Sequence, residues 1–226
     1  ILFPYTTCPI IGETIIQGYF MHSGVGMWFT LYTLGLLYYF IPQQLNKPIY
    51  AYSLGILAFW TQILFYTIIG THHFVFSAIP WWLQTVAIVG SAGMIIPVVA
   101  ATINYTMTFR GQWKKVSNSY TLPFFLVAVI FYFIVSMQGT AEAFKFTNLL
   151  WHFTDFTVGH AHLGFYGIIG RHVCHYTTPY GQRAAAACSR RTFLAGIYRA
   201  LILCHPTLHR WHIAGTDVDG TKAIYR

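Results

Sequence analysis

Four apolar stretches, each long enough to cross a bilayer, leave this chain few ways to fold. They run approximately Tyr19–Ile41, Tyr50–Gly70, Pro80–Phe109 and Thr121–Phe144, and a fifth begins near His152 and is still apolar at Gly170. A hydrocarbon core takes about 20 helical residues to cross. The expected fold class is therefore an all-α membrane protein, a polytopic transmembrane helix bundle. Only 8% of the residues are charged, against roughly 25% in a soluble domain. Gly90, Gly93 and Pro97 fall inside the third stretch; membrane helices carry both residue types readily, and this one has length for tilt or a kink near Pro97. Trp81 and Trp82 open it where an interfacial aromatic belt belongs.

Lys and Arg set the orientation. The loops after the first and third stretches share a side and hold Lys47, Arg110, Lys114 and Lys115, whereas the opposite loops hold Lys145 alone. The positive-inside rule places Lys47 and Lys114 in the cytoplasm. His72 and His73 then lie near the outer face, as do His22, His160 and His162 in their own spans. Net charge +8 would by itself suggest an anionic partner, but eight of the thirteen basic residues follow Gly170. The lipid bilayer is the expected partner, and nucleic acid is not. The chain opens at Ile1 without an initiator Met or a signal-peptide pattern, and reads as a piece of a longer protein. Cys8, Cys174, Cys188 and Cys204 have neither metal spacing nor a compact disulfide framework.

An ionisable side chain inside a membrane is a functional hypothesis by default, and imidazole is the commonest metal ligand. His160 and His162 are two residues apart, about 200° around a helix. They leave opposite faces, so they cannot share one ion but can ligate two cofactors. Gly159, Ala161 and Gly164 would let flat macrocycles approach the backbone. The alternative is a pair of core histidines bonded to neighbouring helices. His72 and His73 can both reach one metal if the helix loosens after Gly70-Thr71, and with His22 they make a three-imidazole set suited to copper, iron or zinc. Tyr66 stands about 240° behind His72 by helical phase, where it could face the space between His22 and the metal. The bland reading is one buried aromatic among sixteen tyrosines.

The ordered motifs are His22-Ser-Gly-Val-Gly26, Leu37-Tyr-Tyr-Phe-Ile-Pro42, Lys47-Pro-Ile-Tyr-Ala-Tyr52, Tyr66-Thr-Ile-Ile-Gly-Thr-His72-His73, and His152-Phe-Thr-Asp155-Phe-Thr-Val-Gly-His160-Ala-His162. In order and spacing they resemble subunit I of cbb3-type cytochrome c oxidases, the C-family of haem–copper oxygen reductases. The resemblance covers about Gly18–Gly170 and implies a haem–copper oxidase fold, with 1–170 as a partial transmembrane domain of about five helices, equivalent to the sixth to tenth of twelve. It implies that His22, His72 and His73 bind copper, and that Tyr66 is a redox tyrosine cross-linked to His22. His160 would be the axial ligand of a high-spin haem b and His162 one ligand of a low-spin haem b. His152 and Asp155 would lie near the haem propionates, and Tyr52 on a proton path from the cytoplasm. The implied activity is reduction of O₂ to water with proton translocation in aerobic respiration. Electrons would arrive from cytochrome c and subunits carrying c-type haems, in a bacterial inner membrane.

Two positions depart from the family: Gly55 stands where it usually has Ser, and Gln138 where it usually has Glu. Nitric oxide reductases share the three histidines but hold non-haem iron. They usually carry a Glu four residues after the first metal His, where this chain has Gly26, and they lack a tyrosine at the place of Tyr66. A non-catalytic membrane haem carrier would account for His160 and His162 but leaves His22, His72 and His73 unused.

After Gly170 the character changes. Arg171-His-Val-Cys-His175, Arg183, Arg190-Arg191 and Asp217-Val-Asp219 replace apolar residues. One reading is a soluble basic tail with a metal site at His205, His209 and His212. The favoured reading is that 171–226 is out of frame. Back-translated from Arg210 and read one nucleotide on, the tail can spell Gly-Gly-Ile-Leu-Gln-Gly-Leu-Met-Trp-Met-Glu-Pro-Lys-Pro-Phe-Ile, which resembles the family's next helix.

Overall fold

The computed structural model describes residues 10–119, 121–152 and 154–165; the sequence expectations for 171–226 lie outside them. Every regular element among the described residues is helical. The first rod joins α1 (Ile10–His22), a π-helical segment Ser23–Phe29 and α2 (Thr30–Leu45), with right-handed helical backbone at both junctions. It begins well before the expected Tyr19, because Ile10, Ile11, Ile15 and Ile16 keep the preceding turns largely apolar, and Glu13 sits in the first turn of α1 where the helix dipole favours an acid. Asn46, at φ 50°, turns the chain out of α2. There the Lys47 N–H reaches the Pro42 carbonyl and the Asn46 N–H that of Gln43, a left-handed C-terminal stop that Asn tolerates.

The second rod, α3 (Tyr52–Tyr66), is shorter than the expected Tyr50–Gly70. The chain does not loosen at Gly70-Thr71 but already at Thr67. Beyond it the bonds tighten to Ile68 N–H to Phe65 O and His72 N–H to Ile69 O, and Gly70–Phe74 forms a 3₁₀ turn. Packing explains the early end. A Cβ on Gly70 would stand 2.7 Å from the Tyr19 Cα, so α1 and this turn meet backbone to backbone. Helical phase therefore does not carry from Tyr66 to His72.

The third stretch forms α4 (Trp81–Gly93) and α5 (Ile95–Phe109), interrupted at Met94. Pro97 has no N–H for the Gly93 carbonyl, which accounts for a bend just before it. After a short α6 (Trp113–Asn118), α7 (Leu122–Ala143) spans again, followed by α8 (Lys145–Trp151) and α9 (Asp155–Gly164). Three apolar runs, Ile11–Leu45, Trp81–Phe109 and Leu122–Ala143, are long enough to cross a membrane, with Tyr52–Tyr66 a shorter apolar helix. The fold is an all-α polytopic membrane bundle.

Side-chain bonds tie the basic loops together on one side, as the charge pattern requires. Lys47 Nζ donates to the carbonyls of Thr108 (3.3 Å) and Arg110 (3.1 Å), and Lys115 Nζ to that of Leu45 (2.9 Å). Each ammonium thus serves the unsatisfied C-terminal carbonyls of a neighbouring helix. Asn104 on α5 does the same for the start of α3: its Oδ1 accepts from the Ala51 N–H and its Nδ2 donates to the Ala51 carbonyl, both at 2.9 Å. Between these fixed ends the core packs Leu37, Val98, Ala101, Tyr105, Phe109, Val129 and Tyr132. Many large apolar side chains, among them Trp28, Trp60, Ile96 and Leu149, face outward, as expected of helices that are apolar on every side.

Candidate metal centre

At the end of the bundle opposite Lys47, three imidazoles point their nitrogens at one another. His22 closes α1, and His72 and His73 sit on the 3₁₀ turn that Gly70 seats against that helix. His22 Nδ1 lies 2.7 Å from His73 Nε2 and 3.1 Å from His72 Nε2, and the two Nε2 atoms are 3.2 Å apart. The corners of such a triangle are about 1.7 Å from its centre, a few tenths of an ångström short of a metal–imidazole bond of about 2.0–2.1 Å. A slight opening of the triangle suits a metal ion. Among the described residues these three form the one group of His, Cys, Asp or Glu side chains arranged to hold one.

The buried member is oriented by its other nitrogen. Ser91 donates its hydroxyl hydrogen to the Ala87 carbonyl at 2.8 Å, so its oxygen accepts from His72 Nδ1–H at 2.7 Å. That bond fixes the tautomer and leaves the Nε2 lone pair facing the centre. Sequence reasoning missed Ser91. Nothing local distinguishes it, because α4 reaches the site only through tertiary packing.

Tyr66, the last residue of α3, is buried with its ring centroid 5.4 Å from that of His22. Gly26 explains the closeness. A Cβ there would stand 2.7 Å from Tyr66 Cε1 and 3.1 Å from His22 Nε2. His22 Nε2 is buried without a hydrogen-bond partner, so the histidine meets the tyrosine with its remaining nitrogen unsatisfied. Gly26 lies in the π-helical Ser23–Phe29, and π-helical turns are frequent at functional sites.

His160 and His162 behave differently. His160 packs on Gly139 of α7, where a Cβ would stand 3.1 Å from its Cε1. His162 is exposed on α9, with Nδ1 2.8 Å from the Val158 carbonyl. A carbonyl only accepts, so Nδ1 carries the hydrogen and Nε2 is the nitrogen that bears the lone pair. The two rings thus serve two environments. His152 follows α8 and Asp155 opens α9, next to the His160 helix but outside the imidazole cluster. Tyr52 lies at the far, Lys47 end of α3, exposed. A Cβ on Gly55 would meet only ordinary contacts with Tyr38 and Asn104, so a hydroxyl side chain fits where this chain has none.

One acid escaped the sequence reading. Glu142 lies one turn beyond Gln138 on α7, bonded through its side chain to Thr157, with Oε1 buried and without a hydrogen-bond partner. The signal was available: it is the lone acid in the Thr121–Phe144 stretch.

A scan of protein families matches residues 4–175 to the family "Cytochrome C and Quinol oxidase polypeptide I". The chain belongs to this family. Among curated members it is 37% identical over 155 residues to the cbb3-type cytochrome c oxidase subunit CcoN1 of Stutzerimonas stutzeri, covering 69% of this chain and 33% of that protein. It is 36% identical over 178 residues to a cytochrome c oxidase subunit 1 homolog of Agrobacterium tumefaciens, covering 77% and 33%. It is 34% identical over 172 residues to the cytochrome c oxidase subunit 1 of Rhodobacter capsulatus, covering 75% and 32%. The chain spans about a third of the length of these relatives. Membership of the oxidase polypeptide I family agrees with the all-α membrane fold and with the order of the histidine motifs.

Proposed function

We propose that this chain is part of the catalytic subunit of a bacterial inner-membrane cytochrome c oxidase of the haem–copper type. The observation that carries the reading is Tyr66 held by Gly26 against a three-imidazole cluster. The donor set is nitrogen only, buried on one side and pre-oriented through Ser91, which suits copper. Bound copper and b-type haem supply electrons and open coordination positions for reducing O₂ to water. His22, His72 and His73 would hold the copper, and His160 and His162, which leave opposite faces of α9, would each hold a haem. Tyr66 can give a proton and an electron together at the edge of the cluster. His152 and Asp155 lie on the side where propionates would sit, and Tyr52 stands where protons enter from the cytoplasm. Electrons come from cytochrome c through subunits with c-type haems.

The nitric oxide reductase reading calls for a carboxylate at position 26. In this structure Tyr66 fills the space that any side chain there would enter. Purification of the enzyme containing this chain is expected to yield copper together with haem iron, and O₂ consumption far above NO consumption. Non-haem iron in place of copper would transfer the chain to the reductases.

The segment 171–226 is assigned no role. The family match ends at residue 175, which supports a change of reading frame nearby. Sequencing the gene across codons 165–226 is expected to show a frame that restores an apolar helix. A gene that reads cleanly through this region removes the idea.

A further inference from the structure

Ser91 is bonded both to the imidazole cluster and to α7. Its hydroxyl hydrogen goes to the Ala87 carbonyl, and its side-chain oxygen accepts from His72 Nδ1. Its main-chain carbonyl lies where α4 is interrupted and accepts from the Met94 N–H at 3.2 Å. The same carbonyl accepts from the Thr140 hydroxyl of α7, also at 3.2 Å; its two lone pairs serve both donors. Thr140 is buried and directly follows Gly139, on which His160 packs. Two hydrogen bonds and one residue step therefore connect His72 with the surface that seats His160. On its other side α4 lies flush against the chain between Tyr66 and His72. A Cβ on Gly90 would stand 2.7 Å from Ile69 Cγ2 and 2.8 Å from Ile68 Cγ1.

A helical threonine ordinarily bonds back to the carbonyl four residues earlier in its own helix. Thr33, Thr61, Thr85 and Thr108 all do so, to Phe29, Leu57, Trp81 and Asn104. Thr140 instead reaches across to another helix. Apolar packing between membrane helices tolerates small slides and rotations, whereas a hydrogen bond pairs one donor with one acceptor. We propose that Thr140 is a positioning residue: its bond to the Ser91 carbonyl fixes the height and rotation of α4 against α7. It thereby sets the spacing between the copper held through His72 and the haem iron held through His160. The proposal rests on the oxidase reading above.

The test uses the complete enzyme containing this chain. Thr140→Val deletes the donor and keeps the shape, whereas Thr140→Ser keeps the donor. Competition with a chelator is expected to show copper held about three- to twentyfold more weakly in Thr140→Val, the range spanned by single hydrogen bonds between membrane helices. At full copper loading, its oxidised form should gain the paramagnetic resonance of high-spin haem iron uncoupled from copper. Thr140→Ser should restore both properties. Thr140→Val added to Ser91→Ala should weaken copper no further, because the link from His72 to α4 is already cut. If Thr140→Val fails to accumulate, Thr140→Ala deletes the same hydroxyl with less bulk and carries the same comparisons. Three results each overturn the proposal. They are wild-type copper binding and resonance in the variant without the hydroxyl, an equal defect in Thr140→Ser, and full additivity with Ser91→Ala. Any of them beside a wild type that holds copper and haem leaves the oxidase reading standing. A wild-type enzyme that holds neither removes that reading and this proposal together.

Discussion

His72→Ala is expected to strip the enzyme of copper and to lower O₂ turnover by at least about a thousandfold, equivalent to roughly 4 kcal/mol of lost transition-state stabilisation. The size follows from the geometry. His72 is the buried member of the cluster, and its Nε2 lies within 3.2 Å of both other ligand nitrogens. With it gone, two imidazoles on the more exposed side are left, one of them on a short 3₁₀ turn. Haem should remain, because His160 and His162 lie on α9 and depend on α7 packing rather than on this turn. Loss of copper with retained haem absorption therefore separates ligand loss from unfolding. Ser91→Ala gives a graded companion. It removes the acceptor that fixes the His72 tautomer, and copper affinity should fall by about ten- to a hundredfold, the usual effect of losing such a partner. Copper at wild-type stoichiometry in His72→Ala would remove these three histidines as the copper site.

Much of this site was legible in the sequence because its constraints are strong and local. An imidazole in an apolar span has few inexpensive roles, and His22, His72 and His73 all fall at one membrane depth once Lys47 and Lys114 set the orientation. The helical phase of His160 and His162 survives because α9 is regular where both residues stand. Phase failed for Tyr66 because α3 ends there, and that end is decided by α1 packing on Gly70, not by anything between Tyr66 and His72. The π-helical Ser23–Phe29 was equally hidden: Gly24 and Gly26 read as small residues, whereas Gly26 matters for what its missing side chain leaves free.

The span boundaries show the same division. Hydropathy placed α7 within a residue or two of its observed ends, since Pro123 lies just inside its start, a position where proline is favoured. It placed the first rod too late, because an apolar run with one acid in its first turn looks like a weak start until Glu13 is seen at the favourable end of the helix dipole. Lys47 and Lys115 were read for topology alone. Their bonds to the last carbonyls of α5 and α2 are a second use of the same charges, visible only when those helix ends are side by side.

Tyr66→Phe is expected to leave copper and haem content at wild-type levels and yet reduce O₂ turnover by at least about a thousandfold. The substitution deletes one oxygen from a buried ring, so packing against Gly26 and His22 is preserved. What disappears is the oxidisable O–H of the ring packed against His22. Phenylalanine can give up neither the electron nor the proton at accessible potentials, and the neighbouring Thr30 and Gln62 side chains are not redox-active. Single-turnover absorption of the haem after mixing with O₂ should then stall before full oxidation, with metal analysis unchanged. Gly26 makes the same point by exclusion. A side chain there must displace Tyr66, so a carboxylate at 26 and a tyrosine against His22 are mutually exclusive occupants of one space. A Tyr66→Phe enzyme that keeps wild-type O₂ turnover would show that the tyrosine only fills that space, and the chemistry assigned to it would have to come from elsewhere.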